Sequence, residues 1–292
     1  MNQSNDNQDE DLQPLLRSFD NEFGPRRDQT EEQPPPVSGE AQAIPPPRTY
    51  RLSLPSGQPR AIWVLLAINI IVFVVPWLLG LLGVRVAGLP IDLEVRALGA
   101  KNNQAIAQGG QYYRFLTAMF LHANLIHIGF NAYALYILGP QTERIYGTAR
   151  FLALYFIAGL AGGVASYALN PGDAVGASGA IFGLIGGLAA FYYVARGVLG
   201  EISRQQLGSL ITVIMINLFI GFSSPVIDNT AHIGGLLGGA AVGWFLAPRF
   251  EVDTRLYPPA VVRRDWPLAW PGALGLLVLL IVLAMTINPP IR

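Results

Sequence analysis

Long apolar runs separated by short polar breaks dominate the chain after residue 60. Seven of them stand out, at approximately 61–83, 116–139, 151–169, 178–195, 207–223, 230–247 and 268–287. Most reach the roughly 20 residues that a helix needs to cross the hydrocarbon core of a bilayer. The pattern predicts an all-α polytopic membrane protein. The fifth run is short, which makes it a candidate for little tilt or local mobility. The first 60 residues read in the opposite sense. They hold ten acidic residues, ten prolines and few large apolar groups, so they cannot bury enough surface to offset their ordering entropy. Residues 1–60 are therefore expected to be a disordered cytoplasmic tail. Residues 61–247 form the helical core, and 248–292 a cytoplasmic linker with a seventh membrane helix.

Composition sharpens this. The chain is 52% hydrophobic and only 13% charged, and the charges cluster between the apolar runs. Its formal net charge is zero, which offers no electrostatic case for nucleic acid. It has no cysteine, which removes disulfides, thiolate metal sites and a cysteine nucleophile. With the N-terminus placed in the cytoplasm, fourteen Lys and Arg fall in inside segments and five outside. That asymmetry favours an N-in, C-out orientation. Four of the five outside charges (Arg85, Arg96, Lys101 and Arg114) lie in the first connection, 84–115, which is expected to rest on or partly in the outer leaflet.

This topology brings polar groups together at one depth. His122, His127 and Asn131 mark the outer end of the second run, Ser178 that of the fourth, and Asp228 and His232 that of the sixth. Ionisable groups at membrane depth are costly and usually functional. Ser178 lies where a Pro-Gly turn becomes an apolar helix striped by Gly179, Gly183 and Gly187. His232 opens a second striped helix, with Gly235, Gly239 and Gly243. Small residues four apart let membrane helices approach closely. A serine hydroxyl becomes nucleophilic when an adjacent base takes its proton. Ser178 also opens its helix, where free N–H groups can stabilise an oxyanion. His127 and Asn131, spaced i, i+4, share a face, and both can donate hydrogen bonds; an oxyanion hole and an interhelical clasp both fit. His122 lies off that face and suits a structural role. Asp228 could orient His232 as a third triad member or cap the sixth helix, and the cap is favoured. Metal chemistry lacks a ligand pattern such as H-E-x-x-H, and no pair of aspartates lies within the apolar runs. No metal and no cofactor is expected. Discontinuous helices in repeated halves, as in transporters, are not evident.

These residues also carry a resemblance. From 61 to 287 the chain resembles the rhomboid intramembrane serine proteases. The motifs, in order, are Tyr113-Arg114 (often Trp-Arg in the family), His122-x4-His127-x3-Asn131, Glu143-x3-Gly147, Gly176-Ala177-Ser178-Gly179 and Ala231-His232-x-Gly234-x3-Gly238. The resemblance implies a six-helix core, here with one added C-terminal span, and a Ser178–His232 dyad. It implies oxyanion donors from His127, Asn131 and the Ser178 N–H, with Gly176 as a loop glycine that lets backbone approach the reacting carbonyl. Phe182 matches an aromatic that packs on the catalytic imidazole, and Glu143 a structural acid near the inner end of the second helix. The implied partners are transmembrane protein substrates and the lipid bilayer; the pattern says nothing of oligomeric state. A bacterial cytoplasmic membrane is the expected location. A client-binding relative that does not cut is the alternative; such members typically lack the serine or the histidine, and this chain has both.

Overall fold

The computed structural model describes residues 58–224, 227–256, 260–264 and 266–291, so the acidic tail lies almost wholly outside the described residues. Seven long helices carry the apolar runs. They are α1 (Ala61–Leu81), α5 (Leu125–Tyr146), α6 (Thr148–Leu169), α7 (Ser178–Val194), α9 (Glu201–Phe222), α10 (Asn229–Leu246) and α11 (Ala269–Thr286). Short elements α2 (Ile91–Gly99), α3 (Asn103–Ala107) and α4 (Arg114–Thr117) fill the first connection, and α8 (Arg196–Leu199) links α7 to α9. Helices α1, α6, α9 and α11 are each long and apolar enough to cross a membrane. The chain is an all-α polytopic membrane protein. Large apolar side chains on α1, α9 and α11, among them Ile71, Phe219 and Leu274, face outward, as lipid contact requires.

The centre is a three-helix unit of α6, α7 and α10, and its closeness comes from glycine. Gly235, Gly239 and Gly243 of α10 lie against Gly179, Gly183 and Gly187 of α7. A Cβ at Gly243 would sit 2.6 Å from Gly187 Cα, so no larger residue fits without separating the helices. Gly234 and Gly238 turn the other way, onto α6. Tyr146 at the end of α5 locks the pair by donating its hydroxyl to Gly187 O at 2.7 Å, with Gly243 O at 3.2 Å.

Helix α1 has no capping side chain of its own at Arg60. Its free N–H groups find Glu143 of α5 instead. The carboxylate accepts from Arg60 N and Ala61 N at 3.1 Å, from Ile62 N at 2.9 Å, and from Thr148 Oγ1 at 2.8 Å. An anion here satisfies orphan donors and complements the helix dipole. Four residues on, Gly147 joins α5 to α6 with a φ of 78°, which glycine adopts without strain.

Three expectations need correction. The second run does not begin a spanning helix at 116. Residues Arg114–Phe120 make a separate helical segment, bent by 91° from Leu125–Tyr146. The break falls at 121–124, where Asn124 is extended and caps α5 through Oδ1 to His127 N at 2.9 Å. An apolar run gives no hint of that turn, because both segments are apolar. The fifth run is not short: its helix starts at Glu201 and has 22 residues. The polar first turns, with Glu201, Ser203 and Arg204, hid its beginning. Finally, the stretch after α10 is not a plain linker. Arg249–Asp253 and Ala260–Arg264 pair as an antiparallel hairpin, with Arg249 opposite Arg264. The Arg249 guanidinium lies 3.9 Å over the Trp266 ring, which joins the hairpin to the approach of α11.

Candidate active site

The site is built at the ends of four helices. Helix α7 opens at Ser178 without a side-chain cap, and its first backbone bond runs from Ile181 N to Ala177 O at 3.0 Å. The N–H groups of Ser178, Gly179 and Ala180 are therefore free of intrahelical acceptors. The preceding residue but one, Gly176, has a φ of 132°, a conformation that a side chain would strain. Its N–H donates to Ala118 O at 2.8 Å, tying the serine loop to the short helix before the 121–124 break.

Gly176 also makes room for His127 and Asn131 beside the loop that leads to Ser178. A Cβ on Gly176 would lie 2.7 Å from His127 Nε2 and 3.6 Å from Asn131 Nδ2. Only glycine admits the imidazole so close to the loop backbone. Ala123 N lies 3.4 Å from His127 Nδ1 and donates to it, so in the neutral ring the proton sits on Nε2. The nitrogen facing Gly176 is then a donor. Asn131 is buried, and its Nδ2 has no partner among the described residues. The i, i+4 spacing on α5 thus brings both side chains to the loop ahead of Ser178.

His232 lies in the first turn of α10. The carbonyl of Ala231 before it is 3.5 Å from where a Cβ on Gly179 would be, so residues 231–232 adjoin 178–179. Phe182, one turn along α7 from Ser178, stacks on the imidazole with ring centroids 4.3 Å apart and 11° between planes. His232 Nδ1 has no hydrogen-bond partner among the described residues.

Asp228 is the cap of α10. One carboxylate oxygen accepts from Thr230 N and Ala231 N at 3.1 Å and from Thr230 Oγ1 at 2.5 Å; the other accepts from Ser166 Oγ of α6. Among the described residues no hydrogen bond joins Asp228 to His232. His122 lies in the break before α5 and not on that helix. It is buried, with its ring edge-on to His127 at 5.1 Å.

Sequence reasoning named Arg114 only as part of a motif and missed the support that Lys101 and Asn103 give. Arg114 is buried and donates to the carbonyls of Ala97 and Ala100 at 2.9 and 2.8 Å, closing off α2. Lys101 and Asn103 are buried beneath the serine loop. Nothing in local pattern flags Lys101 and Asn103, since the backbone carbonyls they bind lie 64 residues away or more.

Comparison with known proteins agrees with this architecture. A Rhomboid domain profile matches residues 109–249, the stretch from α4 to the start of the hairpin. Rhomboid protease GluP of Bacillus subtilis is 40% identical over 184 residues, covering 63% of this chain and 34% of that protein. RHOMBOID-like protein 6, mitochondrial, of Arabidopsis thaliana is 36% identical over 158 residues, 54% of this chain and 51% of its own length. The chain thus spans about a third to a half of the length of these two relatives. The rhomboid protein YdcA of Bacillus subtilis is 34% identical over 144 residues, which cover 49% of this chain and 71% of YdcA. With that share of YdcA aligned, and with the profile falling on the helices that carry the site, the chain belongs to the rhomboid family.

Proposed function

We propose that the chain is an intramembrane serine endopeptidase that cuts transmembrane or juxtamembrane segments of other membrane proteins. The observation that carries this reading is the close approach of His127 and Asn131 to the backbone of Gly176. His127 Nε2 and the unpartnered Asn131 Nδ2 border it, and the free N–H groups of α7 begin two residues on. Such a set suits an oxygen that gains negative charge during acyl transfer. Ser178 Oγ attacks the scissile carbonyl carbon while His232 takes the hydroxyl proton. The carbonyl oxygen becomes the oxyanion at these donors. Collapse expels the amine, which receives the proton from His232. Water, activated by the same imidazole, then hydrolyses the acyl-enzyme. The capping bonds of Asp228 favour a Ser–His dyad over a triad.

The donors sit at helix ends, where a polar cavity opening to water is compatible with irregular backbone. The Lys and Arg distribution supports a cytoplasmic N-terminus and an outward-facing site, and the Bacillus relatives support a bacterial cytoplasmic membrane. Helix α9, with only Ser203, Leu210 and Gly221 buried, is the side on which a substrate helix would enter. A cysteine pair cross-linking α9 to α10 is expected to slow cleavage of a full span more than that of a short peptide. Equal slowing would remove α9 from the route.

The primary test is cleavage of a single-span substrate with a helix-breaking, small-residue segment near its outer end. Wild type is expected to cut it and Ser178→Ala to leave it whole. Equal cleavage by both would end the proposal. No cleavage by a folded wild type of any such substrate would favour the client-binding alternative.

A further inference from the structure

Residues Lys101-Asn102-Asn103 look like an exposed polar turn in the first connection. Instead Lys101 is 1% exposed and Asn103 2%. An ammonium is seldom buried to this degree unless its hydrogens are taken up. Lys101 Nζ donates to Gly172 O at 2.7 Å, Asn170 O at 2.9 Å and Asn103 Oδ1 at 3.1 Å, with Ser166 O at 3.5 Å. These carbonyls belong to the last turn of α6 and the turn that follows. There the backbone acceptors are orphaned and the helix dipole favours a cation.

The backbone of Lys101 grips the serine loop as well. Its N–H donates to Ala174 O at 2.9 Å, and Ala174 N donates back to Lys101 O at 3.0 Å. Asn102 Nδ2 donates to Asp173 Oδ1 at 2.8 Å. Ala174 is two residues before Gly176 and four before Ser178. Asn103 Nδ2 lies 3.1 Å from Asn170 O and 2.6 Å from Pro290 O, a residue beyond α11. Ile106, Phe115, Tyr167, Ala284 and Ile287 pack together beside it. The same end of α6 reaches α10 through Ser166 and Asp228.

One short segment therefore holds the loop leading to Ser178, the helix end that braces the His232 helix, and the stretch after α11. We infer that Lys101 is a positioning residue for the proposed reaction, setting Ser178 against His232, and that the Pro290 segment completes this brace through Asn103. The inference rests on reading Ser178 as the nucleophile. Its chemical basis is geometric: Lys101 binds Gly172 O and pairs with Ala174 on the approach to Ser178, and misplacement by about 1 Å can cost roughly 100-fold in rate.

The test compares wild type, Lys101→Met and Asn103→Ala as full chains in detergent or proteoliposomes. Rates are normalised to the fraction that a fluorophosphonate labels at saturation. Lys101→Met is expected to lower kcat about 10- to 100-fold with KM nearly unchanged, and to slow labelling in step. Asn103→Ala is expected to lose less, about 3- to 10-fold. Amide exchange at Ala174 and Gly176 should quicken in both. A loss of folded fraction with wild-type kcat per labelled site would mean a structural role only and would overturn the inference. If Lys101→Met does not fold, Asn103→Ala decides, and wild-type kcat there overturns it. A wild type that neither cleaves nor labels at Ser178 overturns the functional reading instead. Unchanged exchange at Ala174 overturns the brace whatever the activity.

Discussion

The ring of Phe182 lies flat on the imidazole of His232, centroids 4.3 Å apart and planes 11° from parallel. One residue belongs to the helix that Ser178 opens, the other to the helix packed on it through glycine. The stack therefore transmits the register of the two helices directly to the orientation of the imidazole. Stacked aromatic pairs are worth about 0.5–1.5 kcal/mol beyond the area they bury.

That figure sets a first expectation. Phe182→Leu keeps apolar volume but removes the ring face, and should lower kcat by up to about tenfold. KM should change little, since the change acts on the proposed base and not on substrate contacts. Steady-state kinetics on the single-span substrate checks this. A rise in KM with kcat intact would place Phe182 in substrate binding instead.

Asn131→Ala and His127→Ala each delete a donor beside Gly176. The expected loss in kcat is about 100- to 1,000-fold for a donor that acts only on the developing oxyanion. Because the Asn131 Nδ2 has no partner to lose among the described residues, Asn131→Ala should leave thermal stability nearly intact. A large fall in unfolding midpoint together with normal kcat would make Asn131 a structural clasp.

Asp228 separates two roles. Asp228→Asn keeps an acceptor for Thr230 and Ala231 and should retain near-normal turnover. Asp228→Ala removes the cap and should cost about 0.5–2 kcal/mol of stability. Turnover lost in Asp228→Asn, with folding preserved, would restore the triad.

The glycine seam predicts a contrast within one residue type. Gly243→Ala pushes a methyl into the Gly187 backbone and should destabilise by about 1–3 kcal/mol. Gly208→Ala, in α9, meets nothing within 4 Å and should be neutral or stabilising by about 0.5–1 kcal/mol. Thermal unfolding in detergent measures both. Equal effects would mean that α7 and α10 are not in such close contact.

Much of this site could be read from the chain because its signals are local. Glycines four apart announce a close helix pair, and Ser178 and His232 stand at the start of each stripe. The i, i+4 pair His127 and Asn131 shares a helix face from spacing alone. What escaped reading depends on partners far away in sequence. Glu143 reads as a structural acid through the resemblance, but the helix it caps, 81 to 83 residues earlier, does not, and Lys101 serves carbonyls up to 71 residues later. Both are charges whose burial depends on what folds against them. The break at 121–124 escaped for another reason: hydropathy registers composition, and a 91° bend between two apolar segments leaves it unchanged.

The most direct measurement is covalent trapping of the nucleophile. A fluorophosphonate is reacted with wild type, Ser178→Ala and His232→Ala, and the adduct is located by peptide mass spectrometry. A Ser178–His232 dyad predicts a single adduct on Ser178 in wild type, none in Ser178→Ala, and a labelling rate lowered by several orders of magnitude in His232→Ala. An active wild type with no adduct on Ser178, or labelling in His232→Ala as fast as in wild type, would contradict it.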